Sequence, residues 1–126
     1  MPDKLPEKKT LGLLVCFHGF TGNETHFTFA YENIKATTIA DHFMVISLKS
    51  KNTDWAKENE SDVLKTIDWV KSVYPIDPRR VLIWGMSNGG WMVSDFGGKH
   101  QDLIAGIARY CGYPPTAPTV KDAATI

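Results

Sequence analysis

The sequence predicts an α/β fold: a three-layer sandwich with a mostly parallel sheet of about four strands and helices on both faces. Three observations carry that expectation. Short, nearly continuous apolar runs occur at 11–17, 43–48 and 80–85, as expected of strands buried on both faces. Segments with helical spacing alternate with them, which implies right-handed crossovers and parallel pairing. Finally, Val81-Leu82-Ile83-Trp84 leads into Gly85-Met86-Ser87-Asn88-Gly89. This is a Gly-x-Ser-x-Gly sequence set between a strand and a helix, the context in which it forms a sharp nucleophile-bearing turn.

Taken in order, residues 1–10 read as an irregular lead-in with two prolines, and Leu11 to Phe17 as the first strand. That strand ends in the Gly-containing loop His18-Gly19-Phe20-Thr21-Gly22-Asn23. Residues 29–41 form a weaker helix candidate, because Ile34, Thr37, Thr38 and Ile39 lower its propensity. Phe43 to Leu48 is a second strand, and 49–59 is a polar loop that carries Asp54-Trp55. Ser61 then reads as an N-cap with Asp62 in the first turn. Val63, Leu64, Ile67, Val70 and Tyr74 recur at helical spacing up to Pro75. Pro75-Ile76-Asp77-Pro78 is a turn into the strand at 80–85. The helix after Ser87 is expected to run to about Phe96 and stop at Gly97-Gly98 as a left-handed cap. Leu103 to Tyr110 is a fourth strand candidate, and Pro114, Pro115 and Pro118 open an irregular tail.

Composition narrows the class. The 126 residues, 43% of them hydrophobic, suit one globular domain over 1–126. Fourteen Lys and Arg balance fourteen Asp and Glu, so neither nucleic acid nor an anionic membrane is an expected partner. No apolar run approaches the roughly 18 residues that span a bilayer. The polar N-terminus lacks the apolar centre of a signal peptide. The expected location is cytoplasmic if Met1 is the true start, and secreted if a preceding segment carried a signal. Cys16 falls within one expected strand and Cys111 near the end of another; with a third strand between those two they lie about 9.6 Å apart, beyond disulfide reach. They read as small buried hydrophobes. No Cys, His or Asp cluster has metal-ligand spacing, so neither a metal nor another cofactor is expected.

In a parallel sheet, sites form at the carboxyl ends of the strands. The loop at His18 and the turn at Ser87 both follow strands, so both belong on one rim. Ser87 is the candidate nucleophile, and Gly85 and Gly89 are small because the turn brings strand and helix backbones together.

Together, His18-Gly19-Phe20, Asp54-Trp55, Tyr74-Pro75-Ile76-Asp77-Pro78-Arg79-Arg80-Val81 and Gly85-Met86-Ser87-Asn88-Gly89-Gly90 resemble the α/β-hydrolase superfamily. The resemblance is to its polyhydroxybutyrate-depolymerase-like and feruloyl-esterase-like branch, and it covers residues 11–113. It implies a serine hydrolase that takes a small or polymeric carboxylic ester through an acyl-enzyme on Ser87. It also implies an oxyanion hole built from the backbone N–H groups of Asn88 and Phe20. His18 and Gly19 would support that loop, as Gly85 and Gly89 support the elbow.

The remaining candidates are weaker. His100, at the far end of the elbow helix, reads as a solvated helix-terminal residue some 18 Å from Ser87. His42 precedes a strand, on the opposite rim. His18 is on the site's rim but in a supporting position, and His26 is in a loop of unknown path. Asp95 reads as exposed or paired, and Asp54-Trp55 as a cleft-lining or loop-ordering pair. Trp69, Trp84 and Trp91 read as core.

In this superfamily the order along the chain is Ser, then Asp or Glu, then His, and no His follows His100; Asp122 lies in the tail. The chain therefore reads as the middle of an α/β-hydrolase, truncated at both ends. Open sheet edges are then expected to take a completing segment or a second copy. Two rival functions stay open: a peptidase of the same superfamily, and a non-catalytic binding or assembly module.

Overall fold

The computed structural model describes residues 8–56 and 58–112. Four strands and three α-helices alternate: β1 (Leu11–Phe17), α1 (Thr28–Lys35), β2 (Phe43–Leu48), α2 (Glu60–Val73), β3 (Ile76–Met86), α3 (Asn88–Lys99) and β4 (Gly106–Tyr110). The sheet order is β2-β1-β3-β4 and every pairing is parallel. This is the expected α/β sandwich. β1 and β2 have the bounds that their apolar runs predict.

Alternation along β1 sorts the two faces. Leu11, Leu13, Val15 and Phe17 are buried with Val63, Ile67 and Val70 of α2 and with Met92, Val93 and Phe96 of α3. At about 1.5–3 kcal/mol for each large apolar side chain removed from water, this cluster is the main source of cohesion. Cys16 faces the other way and is buried with Phe27, against Leu14, Val45, Trp84 and Met86. The Cys16 thiol is pushed up to about 12 by that burial.

Several boundaries differ from the sequence expectation, each for a physical reason. Gly97 and Gly98 do not cap the elbow helix; α3 runs through them to Lys99. A Cβ on Gly97 would lie 2.8 Å from Ile107 Cγ2, so the glycine serves close packing of α3 on β4. α2 begins at Glu60, with Asn59 rather than Ser61 in the N-cap position. The Asn59 side chain does not cap: it accepts from Lys51 N at 2.9 Å and donates to the Asp54 carbonyl at 3.0 Å. The helix expected over 29–41 is broken. α1 stops at Lys35, and a separate 3-10 turn, Thr38–Asp41, follows with Ile39 N donating to Thr37 Oγ1 at 3.3 Å. Threonine hydroxyls that bond nearby backbone favour such caps over helix interiors.

The turn expected at 75–78 is a bulge inside a longer strand. Ile76 pairs with Leu11 and Val81 with Leu13, so three residues of β3 are looped out. Asp77 holds the bulge by accepting from Arg79 N at 2.9 Å and from its guanidinium at 3.1 Å. β4 starts at Gly106 rather than Leu103, because the amides of Leu103 and Ile104 turn back to the His100 carbonyl. Trp69 is 58% exposed and not core. Cys111 is exposed rather than buried and lies just past the end of β4, and both cysteines are free; β3 separates β1 from β4. The prolines at 114, 115 and 118, Asp122 and most of the N-terminal lead-in lie outside the described residues. Among the described residues no helix is long and apolar enough to cross a membrane.

Candidate active site

The site is built where β1 and β3 end side by side. Phe17 pairs with Gly85, so the loop that starts at His18 and the turn through Ser87 leave the sheet together. Ser87 has φ 56 and ψ −115, a left-handed conformation unusual for a residue with a Cβ and typical of strained functional turns. It is held there at both ends: Ser87 N donates to the Tyr110 carbonyl at 3.0 Å, and Trp91 N donates to the Ser87 carbonyl at 3.1 Å. A Cβ on Gly85 would collide with the Gly89 carbonyl, and one on Gly89 with the Phe17 carbonyl. Both glycines are required by contact between backbones. Asn88 is the first residue of α3, so its N–H has no carbonyl partner within the helix and sits at the positive end of the helix dipole.

The opposite wall is the loop after β1. His18 is fully buried. Its Nε2 accepts from Ser50 N at 3.1 Å and its Nδ1 lies 2.6 Å from the Gly19 carbonyl. The ring is therefore the neutral tautomer with its proton on Nδ1. Burial pushes its pKa below the ordinary 6.5, more than the Gly19 carbonyl raises it. Trp55, also buried, donates from Nε1 to the His18 carbonyl at 2.8 Å. Its ring meets Phe17 edge-on at 4.9 Å.

Asp54 and Asn88 are brought together across 34 positions of sequence. Asn88 Nδ2 donates to Asp54 Oδ1 at 2.9 Å, while Asn88 Oδ1 accepts from Trp55 N at 2.8 Å. Sequence reasoning placed Asp54-Trp55 near the cleft but missed this pairing. Its only signal was a carboxamide directly after the elbow serine. A cavity of about 520 Å³ opens over these groups, lined by Phe20, Asp54, Ala56, Ser87, Asn88, Trp91 and Gly112. Trp91, expected in the core, is half-buried and forms part of that lining.

Residues 48–114, more than half of the chain, match the model of the prolyl oligopeptidase family. The chain belongs to the prolyl oligopeptidase family. Its fold is that of the α/β-hydrolases. It is similar to an acetyl xylan esterase from Aspergillus awamori at 21% identity and TM-score 0.74, covering 90% of this chain and 45% of that one. It is similar also to a fluorophosphonate-binding serine hydrolase from Staphylococcus aureus, at 20% identity and TM-score 0.70, over 87% of this chain and 45% of that one. A ferulic acid esterase aligns at 12% identity and TM-score 0.67, over 82% and 47%. The chain thus spans about half the length of these structures.

In this prolyl oligopeptidase family member the four histidines are dispersed. His26 is exposed and reaches the site's rim. Its Cε1 and the Ser87 Cβ lie 3.9 and 3.7 Å from the point a Gly19 Cβ would occupy. His42 is on the opposite rim, where its carbonyl accepts from Gly12 N at 2.8 Å. His100 is not the solvated group expected: its ring lies 4.4 Å from that of Phe96, and Nε2 meets Glu60 Oε1 at 2.8 Å. Asp95 is paired with Lys99 at 2.8 Å. Among the described residues no histidine hydrogen-bonds Ser87, and no group of three or more His, Cys, Asp or Glu is placed to hold a metal ion.

Proposed function

We propose that this chain carries the nucleophile and the oxyanion hole of a serine hydrolase acting on carboxylic esters. The observation that carries the reading is Ser87 at positive φ at the head of α3, lining the cavity. Ser87 Oγ attacks the acyl carbonyl as its proton passes to a general base. The carbonyl oxygen becomes an oxyanion and accepts hydrogen bonds from the N–H groups of Asn88 and Phe20. The alcohol leaves with a proton, and water then releases the acid from the acyl-enzyme by the same steps. Each oxyanion donor is worth roughly 3 kcal/mol, or about a hundredfold in rate.

His18 and His100 are not placed to act as the general base. His18 is buried with both ring nitrogens engaged, and His100 lies at the far end of α3. In α/β-hydrolases the acid and the histidine follow the nucleophile in chain order. Without them turnover falls on the order of a millionfold, which leaves binding and oxyanion stabilisation alone.

The names of the structural neighbours, an acetyl xylan esterase and a ferulic acid esterase, support a small or polymeric ester as the substrate. A peptidase reading is favoured by one observation, the match to the prolyl oligopeptidase model. Turnover of short-chain p-nitrophenyl esters against matching p-nitroanilides, in a protein extended to full domain length, separates the two. Ester cleavage lost in Ser87→Ala supports the first reading. Anilide cleavage at comparable rate supports the second.

A further inference from the structure

The loop between β2 and α2 touches both walls of the site. Toward the loop after β1 it makes four hydrogen bonds: Ser50 N and Ser50 Oγ to His18 Nε2 at 3.1 and 3.3 Å, Trp55 Nε1 to the His18 carbonyl at 2.8 Å, and Thr21 N to the Thr53 carbonyl at 3.2 Å. Toward the elbow it makes two, both to one side chain. Trp55 N donates to Asn88 Oδ1 at 2.8 Å and Asn88 Nδ2 donates to Asp54 Oδ1 at 2.9 Å. Asp54 Oδ1 also accepts from Ala56 N at 3.0 Å, which fixes the carboxylate within its own loop. The two N–H groups that must converge on one oxygen therefore sit on separate loops, joined through a third.

We propose that Asp54 and Asn88 form a positioning pair that sets the distance between the backbone N–H groups of Asn88 and Phe20. The proposal rests on the serine-hydrolase reading above. Asn is suited to position 88 because a carboxamide accepts on one atom and donates from the other, which an aliphatic side chain or an ionised carboxylate cannot do. The pair acts through the backbone and does not itself touch the reacting atoms. Catalysis of this kind tolerates little displacement, since a misplacement of about 1 Å can cost on the order of a hundredfold.

The test is a swap. Asn88→Asp sets two carboxylates against each other at hydrogen-bond distance, where they repel unless they share a proton. Asp54→Asn combined with Asn88→Asp restores one donor and one acceptor between the two positions, with the direction reversed, at the expense of the bond from Ala56 N, which uses the same Oδ1. The readout is the rate of Ser87 phosphonylation by a fluorophosphonate in protein extended to full domain length, each variant compared with the unmodified protein at the same pH. Asn88→Asp is expected to slow labelling by about tenfold or more at pH 8, with a smaller deficit at pH 6 as the proton is shared. The double variant is expected to label severalfold faster than Asn88→Asp at pH 8, since the two facing groups are again one donor and one acceptor. Labelling unaffected by Asn88→Asp, or a double variant no faster than the single one, overturns the pair.

Hydrogen exchange at the Trp55 amide supplies the second measurement. If Ser87 does not label at all in the unmodified protein at full domain length, the hydrolase reading falls and exchange alone judges the pair. Protection lost in Asn88→Leu, which removes the acceptor, and retained in the double variant, which keeps it, supports the pair; protection unchanged in Asn88→Leu overturns it. A single variant that fails to fold while the double folds also supports it; failure of both overturns it.

Discussion

The Ser50 backbone N–H donates to Nε2 of His18 at 3.1 Å and so holds a fully buried imidazole in its neutral form. Protonating Nε2 would remove that acceptor and place a charge among buried groups. The folded-state pKa is accordingly below the ordinary 6.5, with burial as the leading cause. Below pH 6.5 the unfolded chain takes up this proton more readily than the folded one. His18 therefore contributes its full stabilisation above about pH 6.5 and loses it as the pH falls further. Urea midpoints measured from pH 8 to pH 5 are expected to drop below pH 6.5. His18→Phe should flatten that part of the profile and lower stability by about 1–3 kcal/mol at pH 8, because the Ser50 amide is left without an acceptor.

Gly89→Ala tests the contact between the elbow and β1. The added methyl would meet the carbonyls of Phe17, the last residue of β1, and, at 2.6 Å, of His18, which accepts from Trp55 Nε1. The expected loss is about 3 kcal/mol or more, at or above the upper end of ordinary overpacking. Thermal unfolding by circular dichroism measures it. A melting temperature unchanged within error would mean that the helix does not sit this close to the strand.

The two thiols should separate cleanly in a labelling experiment. Cys16 is buried, with its pKa raised to about 12, and the thiolate is the reactive form. Cys111 is exposed. Iodoacetamide at pH 8 is expected to modify Cys111 within minutes and to reach Cys16 only after denaturation, as read by peptide mass mapping. Equal modification of both in the folded state would contradict the placement of Cys16 between the sheet and Phe27.

What could be read in the sequence followed from how local each signal is. Leu11 to Phe17 and Phe43 to Leu48 are strands because nearly continuous apolar runs of that length have little else to become in an α/β chain. The elbow is five contiguous residues, so Gly85, Ser87, Asn88 and Gly89 could be placed from sequence alone. Gly97-Gly98 misled because a glycine pair ends a helix as readily as it permits close packing, and only the position of Ile107 distinguishes the two. Trp69 misled because its hydrophobicity outweighed its place beside the buried stripe of α2, which directs it to solvent. The Asp54–Asn88 bond joins residues 34 apart through side chains. Neither residue alone indicates the other.

The most direct test of the central claim is the site of phosphonylation. The chain, extended to full domain length, is incubated with a fluorophosphonate, digested and mapped by mass spectrometry. One adduct per chain is expected, on Ser87, and absent in Ser87→Ala with the fold retained. No adduct on Ser87 in the folded full-length protein, or an adduct that persists in Ser87→Ala, would contradict the assignment of Ser87 as the nucleophile.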